Sequence, residues 1–179
     1  VCGENTNPLA RYSLMAQGEQ LHIASYSPRW PTHPVGGAGY DLAAAIRIRS
    51  GAHSFEAKCF TIVASGFFSD AAAELVCRGE PSARALVESA PRSVSMVLGP
   101  NGAVISDVLQ NEEGIVYADI DLDDCIVPKQ FHDVVGHYNR FDVFSLQVNR
   151  AALAPAVFLD PGPPATFPAL QDEAVAVTR

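Results

Sequence analysis

Apolar side chains recur at Leu9, Tyr12, Leu14 and Met15, with Arg11 and Gln17 interleaved, and the run stops at Gly18. This spacing predicts a short amphipathic helix ending at a glycine. Pro8 falls near its first turn, where a missing N–H breaks no internal bond. Residues 21–26 follow as a buried strand carrying Ile23 and Ala24. Cys2 then lies on a turn entering a helix. Residues 27–39 hold prolines at 28, 31 and 34 and glycines at 36 and 37, which is loop chemistry.

An alanine-rich stretch from residue 40 or 41 to 58 is the next helix, although Gly51 near its middle costs about 1 kcal/mol relative to alanine. Residues 59–64 (Cys-Phe-Thr-Ile-Val-Ala) form a nearly unbroken apolar run, predicting a central strand covered on both faces. Short helices are expected over 70–77 and 82–89. A strand over 93–98 then meets Gly99-Pro100-Asn101-Gly102, and Asn-Gly favours a tight hairpin returning over 103–109. Residues 114–120 read as a further strand and 125–135 as a further helix. Asp119, Asp121, Asp123 and Asp124 cluster between them as a solvated strand exit and helix cap, since their spacing fits no calcium loop. After Val148 the chain turns to alanine and proline, so a domain over 1–148 and a tail over 149–179 are expected. The alternation of helix and strand followed by a hairpin indicates an α/β sandwich.

Composition narrows the function. The 179 residues are 48% hydrophobic, enough for a sizeable core. The net charge of -8, from 12 basic and 20 acidic residues, offers no cationic surface for nucleic acid or an anionic membrane. No apolar stretch is long enough to cross a hydrocarbon layer of about 30 Å as a helix. The cysteines at 2, 59, 77 and 125 have no CxxC spacing. With histidines at 22, 33, 53, 132 and 137 they complete no zinc signature. Free thiols in a reducing cytoplasm are therefore expected. A glycine-rich dinucleotide loop is missing, and nothing calls for a metal or other cofactor.

The first segment carries the candidate chemistry. A cysteine beside Gly3 at the entrance of a helix is nucleophilic where backbone N–H groups favour its thiolate. Spacing alone favours an inert thiol, since most lone cysteines are buried hydrophobes. Glu4 and Asn5 suit capping of the turn or fixing of the nucleophile loop. Tyr26, Arg29 and Trp30 lie where they shape a substrate mouth, with Trp30 equally suited to be a packing anchor. His22 on an apolar strand suits a satisfied structural histidine.

The run Cys2-Gly3-Glu4-Asn5-Thr6-Asn7-Pro8-Leu9-Ala10-Arg11 resembles the nucleophile segment of nitrilases. The resemblance continues through residues 15–24, 93–102 and 136–143. It implies the αββα sandwich of the carbon–nitrogen hydrolases, with Cys2 as nucleophile and no cofactor beyond water. It also implies hydrolysis of an organic nitrile to a carboxylic acid and ammonia through a thioimidate and a thioester. His137 is similar to a position near the active-site rim, where hydrogen bonds hold the final segment. The family also uses a glutamate base and a lysine. These remain unassigned, and Glu4, Glu19, Lys58 and Lys129 are not given those roles.

Gly3 after the nucleophile resembles enzymes acting on aromatic or arylaliphatic nitriles, whereas cyanide hydratases usually carry tryptophan there. An amidase of the same superfamily and a non-catalytic assembly module are the alternatives. Assembly into homo-oligomers or spirals is a further implication of the family. Because Val1 is not an initiating residue, the chain is expected to be a carboxyl-terminal half, inactive in isolation.

Overall fold

The computed structural model describes residues 2–29, 40–151 and 154–156. Two units divide the chain, Val1–Val148 and Asn149–Arg179, and every element below belongs to the first. Most of the alanine- and proline-rich tail, and residues 30–39 of the expected loop, lie outside the described residues.

Helix α1 spans Pro8–Met15. Asn7 caps it, with Oδ1 accepting from Leu9 N at 3.0 Å and Ala10 N at 3.4 Å. A 3-10 turn, Cys2–Thr6, precedes it and packs on strand β1, Leu21–Tyr26. Helix α2, Leu42–Ala57, starts at an Asp41 cap and ends at Lys58 in a left-handed conformation. It returns the chain to strand β2, Phe60–Ser65, which lies parallel to β1 with Leu21 opposite Phe60 and Tyr26 opposite Ser65. Such a parallel pair requires a crossover, and α2 supplies it. Helices α3 (Asp70–Cys77) and α4 (Pro81–Ser89) lead to strand β3, Met96–Leu98, antiparallel to β2.

The core is the face that α2 lays on this sheet. Leu42, Ala43 and Ile46 meet Ala24, Tyr26, Val63, Val94, Met96 and Leu98 there, and Cys2 packs at its border. The buried positions of α2 continue through Ser50, His53, Ser54 and Ala57. The Ser54 hydroxyl satisfies itself on Thr61 Oγ1 at 2.7 Å.

The described residues form one sheet of three strands in the order β1-β2-β3, flanked by helices, an α/β arrangement that agrees with the expected sandwich. Its second face is open along β1, where Leu21 is 40% and Ile23 66% accessible, and at Ala64 of β2. On the same face Phe60 and Val97 are buried, so the apolar run of β2 is covered on both sides over its first residues.

The Asn-Gly turn forms as expected, with Gly102 N donating to Gly99 O at 2.9 Å. The return stretch, however, makes only isolated bridges, Leu98 to Val104 and Ser95 to Leu109. Ser106 is the cause: its hydroxyl takes the N–H of Val97 at 2.8 Å, replacing a ladder bond, and extra residues bulge on the returning side. Residues 114–120 also form no strand, and Ile115 and Tyr117 are strongly exposed. The helix expected over 125–135 shrinks to a 3-10 turn, Leu122–Cys125, and α5, Ile126–Lys129. The aspartate cluster does cap, since Asp121 Oδ1 accepts from Asp123 N at 3.0 Å.

A Cβ on Gly51 would meet nothing nearer than Gly102 O at 3.6 Å, an ordinary contact. Gly102 is held by both conformation and packing: its φ is +80°, and a Cβ there would stand 2.8 Å from Gly51 O, so the hairpin tip meets the main chain of α2. Gly102→Ala is therefore expected to lower stability by about 1–3 kcal/mol, from conformational strain plus the clash. Gly79→Ala, with a similar φ of +75° but nothing within 4 Å, is expected to lose only about 1 kcal/mol. Urea denaturation midpoints of the two variants check the difference.

Candidate functional site

The 3-10 turn gathers four of the residues singled out from sequence. Cys2 opens it with a φ of 25°, on the side that side-chain-bearing residues rarely adopt, and is partly exposed. Gly3 and Glu4 are exposed, whereas Asn5 is buried with 8% of its surface accessible. The other three cysteines are buried free thiols. Burial, and then the Glu19 carboxylate, push the Cys59 thiol up to about 12, and burial also raises that of Cys125.

Beneath the turn lies a cluster drawn from distant stretches of the chain. His22, from the buried face of β1, donates through Nδ1 to Glu19 Oε1 at 2.6 Å. His53, from the buried face of α2, donates through Nε2 to Glu19 Oε2 at 2.7 Å. The two rings sit 4.1 Å apart between centroids. The far nitrogen of His22, Nε2, lies 3.2 Å from Asn5 Oδ1 and so reaches the Cys2 turn. Burial acts to raise the Glu19 carboxyl. The hydrogen bonds and attraction of the two histidines overcome that and hold it at about 2.

Glu19, His53 and Cys59 also bring potential ligand atoms within 4.8 Å of one another, the donor set that could hold a metal. Both carboxylate oxygens are already engaged and the thiol is held protonated, so the set as arranged is a hydrogen-bonded network. A signal for His53 existed: it shares the helical stripe of Ile46, Ser50 and Ala57, where a polar side chain needs a partner.

The remaining candidates disperse. Tyr26 is buried, with its hydroxyl 3.4 Å from Ser50 Oγ and the Arg49 guanidinium 5.1 Å from its ring centre. Arg49 in turn donates to Thr6 Oγ1 at 3.0 Å, a second tie on the turn. Arg29 donates to Val87 O at 2.6 Å and lies over the Phe68 ring. It lines a cavity of about 250 Å³ with Phe67, Phe68, Arg92, Glu112 and Glu113, and Cys2 is not in that lining. Burial, then the neighbouring Arg92, lower the Arg29 pKa. Trp30 lies outside the described residues. His137 is exposed with its ring against Tyr138, 4.7 Å between centroids. No helix among the described residues is long and apolar enough to cross a membrane.

A sequence model described as carbon-nitrogen hydrolase matches residues 1–130. The chain is 31% identical over 169 residues to a nitrilase of Penicillium rubens, covering 89% of this chain and 48% of that protein. It is 35% identical over 159 residues to a nitrilase of Talaromyces marneffei, covering 83% and 46%. An arylacetonitrilase of Aspergillus niger shares 30% over 149 residues, covering 82% and 44%. The chain thus spans about half the length of the curated relatives it matches.

These matches correct the expectation of a carboxyl-terminal half. The family match begins with residue 1, runs through 130 and so occupies most of this chain, its amino-terminal part included. That expectation rested on Val1 not being an initiating residue. Extent is carried instead by the continuous succession of turn, α1, β1, α2, β2 and hairpin.

The depressed Glu19 pKa sets a pH dependence. Its contribution to stability is fully present above its ordinary value of 4.5 and is lost as pH falls toward about 2. Glu19→Gln is expected to cost a few kcal/mol near neutrality, on the order set by that shift. The gap between wild type and variant should close over that acid range, as read by urea titrations at a series of pH values.

Proposed function

Because this chain belongs to the carbon–nitrogen hydrolase family, we propose that Cys2 is the nucleophile with which a protein carrying it hydrolyses organic nitriles. The observation that carries this reading is the contrast among the thiols. Cys59, Cys77 and Cys125 are buried, whereas Cys2 is partly exposed on a turn with a positive φ. Strain of that kind persists only where surrounding contacts enforce it, and here Asn5 and Thr6 are tied to β1 and α2.

The chemistry balances in three steps. The thiolate adds to the nitrile carbon and the nitrogen takes up a proton, giving a thioimidate. Water adds and ammonia leaves, giving a thioester. A second water releases the carboxylic acid and restores the thiol. Donors aimed at the nitrogen stabilise the charge it gains. Arylaliphatic nitriles are the substrate class we favour, supported by Gly3 after the nucleophile and by a relative named arylacetonitrilase. Self-association belongs to the same reading, supported by the apolar Leu21 and Ile23 on the open face of the sheet.

The isolated 179-residue chain is assigned little or no turnover. Glu19, the buried carboxylate under the turn, has both oxygens committed to histidines and is held at about 2, too acidic to accept a proton efficiently near neutral pH. In a longer protein carrying this chain, Cys2→Ala is expected to abolish release of ammonia and phenylacetic acid from phenylacetonitrile. Ammonia assay with product chromatography checks this. Turnover that survives the substitution refutes the nucleophile. Hydrolysis of phenylacetamide with the nitrile untouched refutes the substrate class. Ammonia release by the isolated chain above its Cys2→Ala background refutes the assigned inactivity.

A further inference from the structure

The network beneath the turn has a direction, and its hydrogen-bond accounting determines it. An ionised carboxylate only accepts, so both ring nitrogens facing Glu19 must carry protons: Nδ1 of His22 and Nε2 of His53. In a neutral His22 ring this leaves Nε2 as an acceptor, and Nε2 is the atom that faces Asn5. The Asn5 side chain is buried, and its Nδ2 is without a partner. Exchanging the oxygen and nitrogen of this amide sets Nδ2–H against His22 Nε2 and satisfies the donor. Glu19 thereby decides what Asn5 can bond to, although the two never touch in this network.

We propose that Glu19 is a positioning residue for Cys2: by fixing His22 as its Nδ1–H tautomer, it makes Nε2 the acceptor that anchors the Asn5 amide. That anchor seats the Cys2-bearing turn on β1. Because Glu19 also grips His53 on α2, the turn is referenced to helix and sheet at once. The inference rests on the reading of Cys2 as nucleophile for its importance, but it concerns geometry and is tested without turnover.

The purified chain suits the experiment, because Cys2 is the partly exposed thiol and the other three are buried. Ring ¹⁵N shifts of His22 give its tautomer. Iodoacetamide labelling at about pH 8, near the ordinary range of a free thiol, gives the accessibility of Cys2 by peptide mapping. Wild type is expected to show the Nδ1–H tautomer. Glu19→Gln, which presents a mixed donor and acceptor, is expected to scramble it and to speed Cys2 labelling by about threefold or more through local opening of the turn. Asn5→Ala is expected to keep the tautomer and to give the same acceleration.

A wild-type His22 in the Nε2–H form overturns the proposal. So does a Glu19→Gln or Asn5→Ala variant whose labelling slows or rises by less than that factor. Should Glu19→Gln lose its fold by circular dichroism, the wild-type tautomer and Asn5→Ala decide. Survival of nitrile turnover after Cys2→Ala in the longer protein sinks the nucleophile and leaves these readouts untouched, so the two failures are distinguishable.

Discussion

A carboxylate whose side chain is only 13% accessible stays ionised in a protein interior when donors replace the water it has lost. Glu19 meets that condition with two short hydrogen bonds from rings on different elements. The arrangement constrains its surroundings in turn. Strand β1 must present His22 inward, helix α2 must present His53 inward, and the two must be in register for one carboxylate to span them. The β1–α2–β2 crossover is thus joined both by apolar packing, at Ile46 and its neighbours, and by one ion-centred link. Removing one partner of such a link is costly because the others remain buried and unsatisfied.

The regular part of the fold was legible because it rests on local rules. The turn and cap formers before Pro8 and the Asn-Gly turn each reflect backbone chemistry contained within a few residues. The parts that were not legible depend on distant partners. Nothing local in residues 114–120 says that a neighbouring strand is missing, and Ser106 gives no sign in sequence that its hydroxyl will occupy a ladder donor.

The candidate site divides the same way. Cys2, Gly3, Glu4 and Asn5 fall together because they are consecutive and share one turn. The long-range participants, Glu19 and His53, are separated by 34 positions and meet only through the crossover. Arg29 illustrates the reverse: its placement beyond a strand suggested a substrate mouth, and it does line a cavity, but one whose lining excludes Cys2. Its guanidinium is engaged by the Val87 carbonyl and shares the cavity with Arg92, Glu112 and Glu113. Proximity along the chain to a nucleophile is therefore a weak guide to what shares its surface.

The approach of Gly102 to the main chain of α2 has an evolutionary corollary. Where two bulky side chains collide, one can shrink to accommodate growth of the other, and sequences drift along such paired exchanges. At Gly102 the obstacle is the Gly51 carbonyl, a backbone atom that no substitution can trim. Position 102 is consequently fixed on its own account, whereas position 51 has room for a methyl group, and descendants of this chain can vary the first only by moving the hairpin away from the helix.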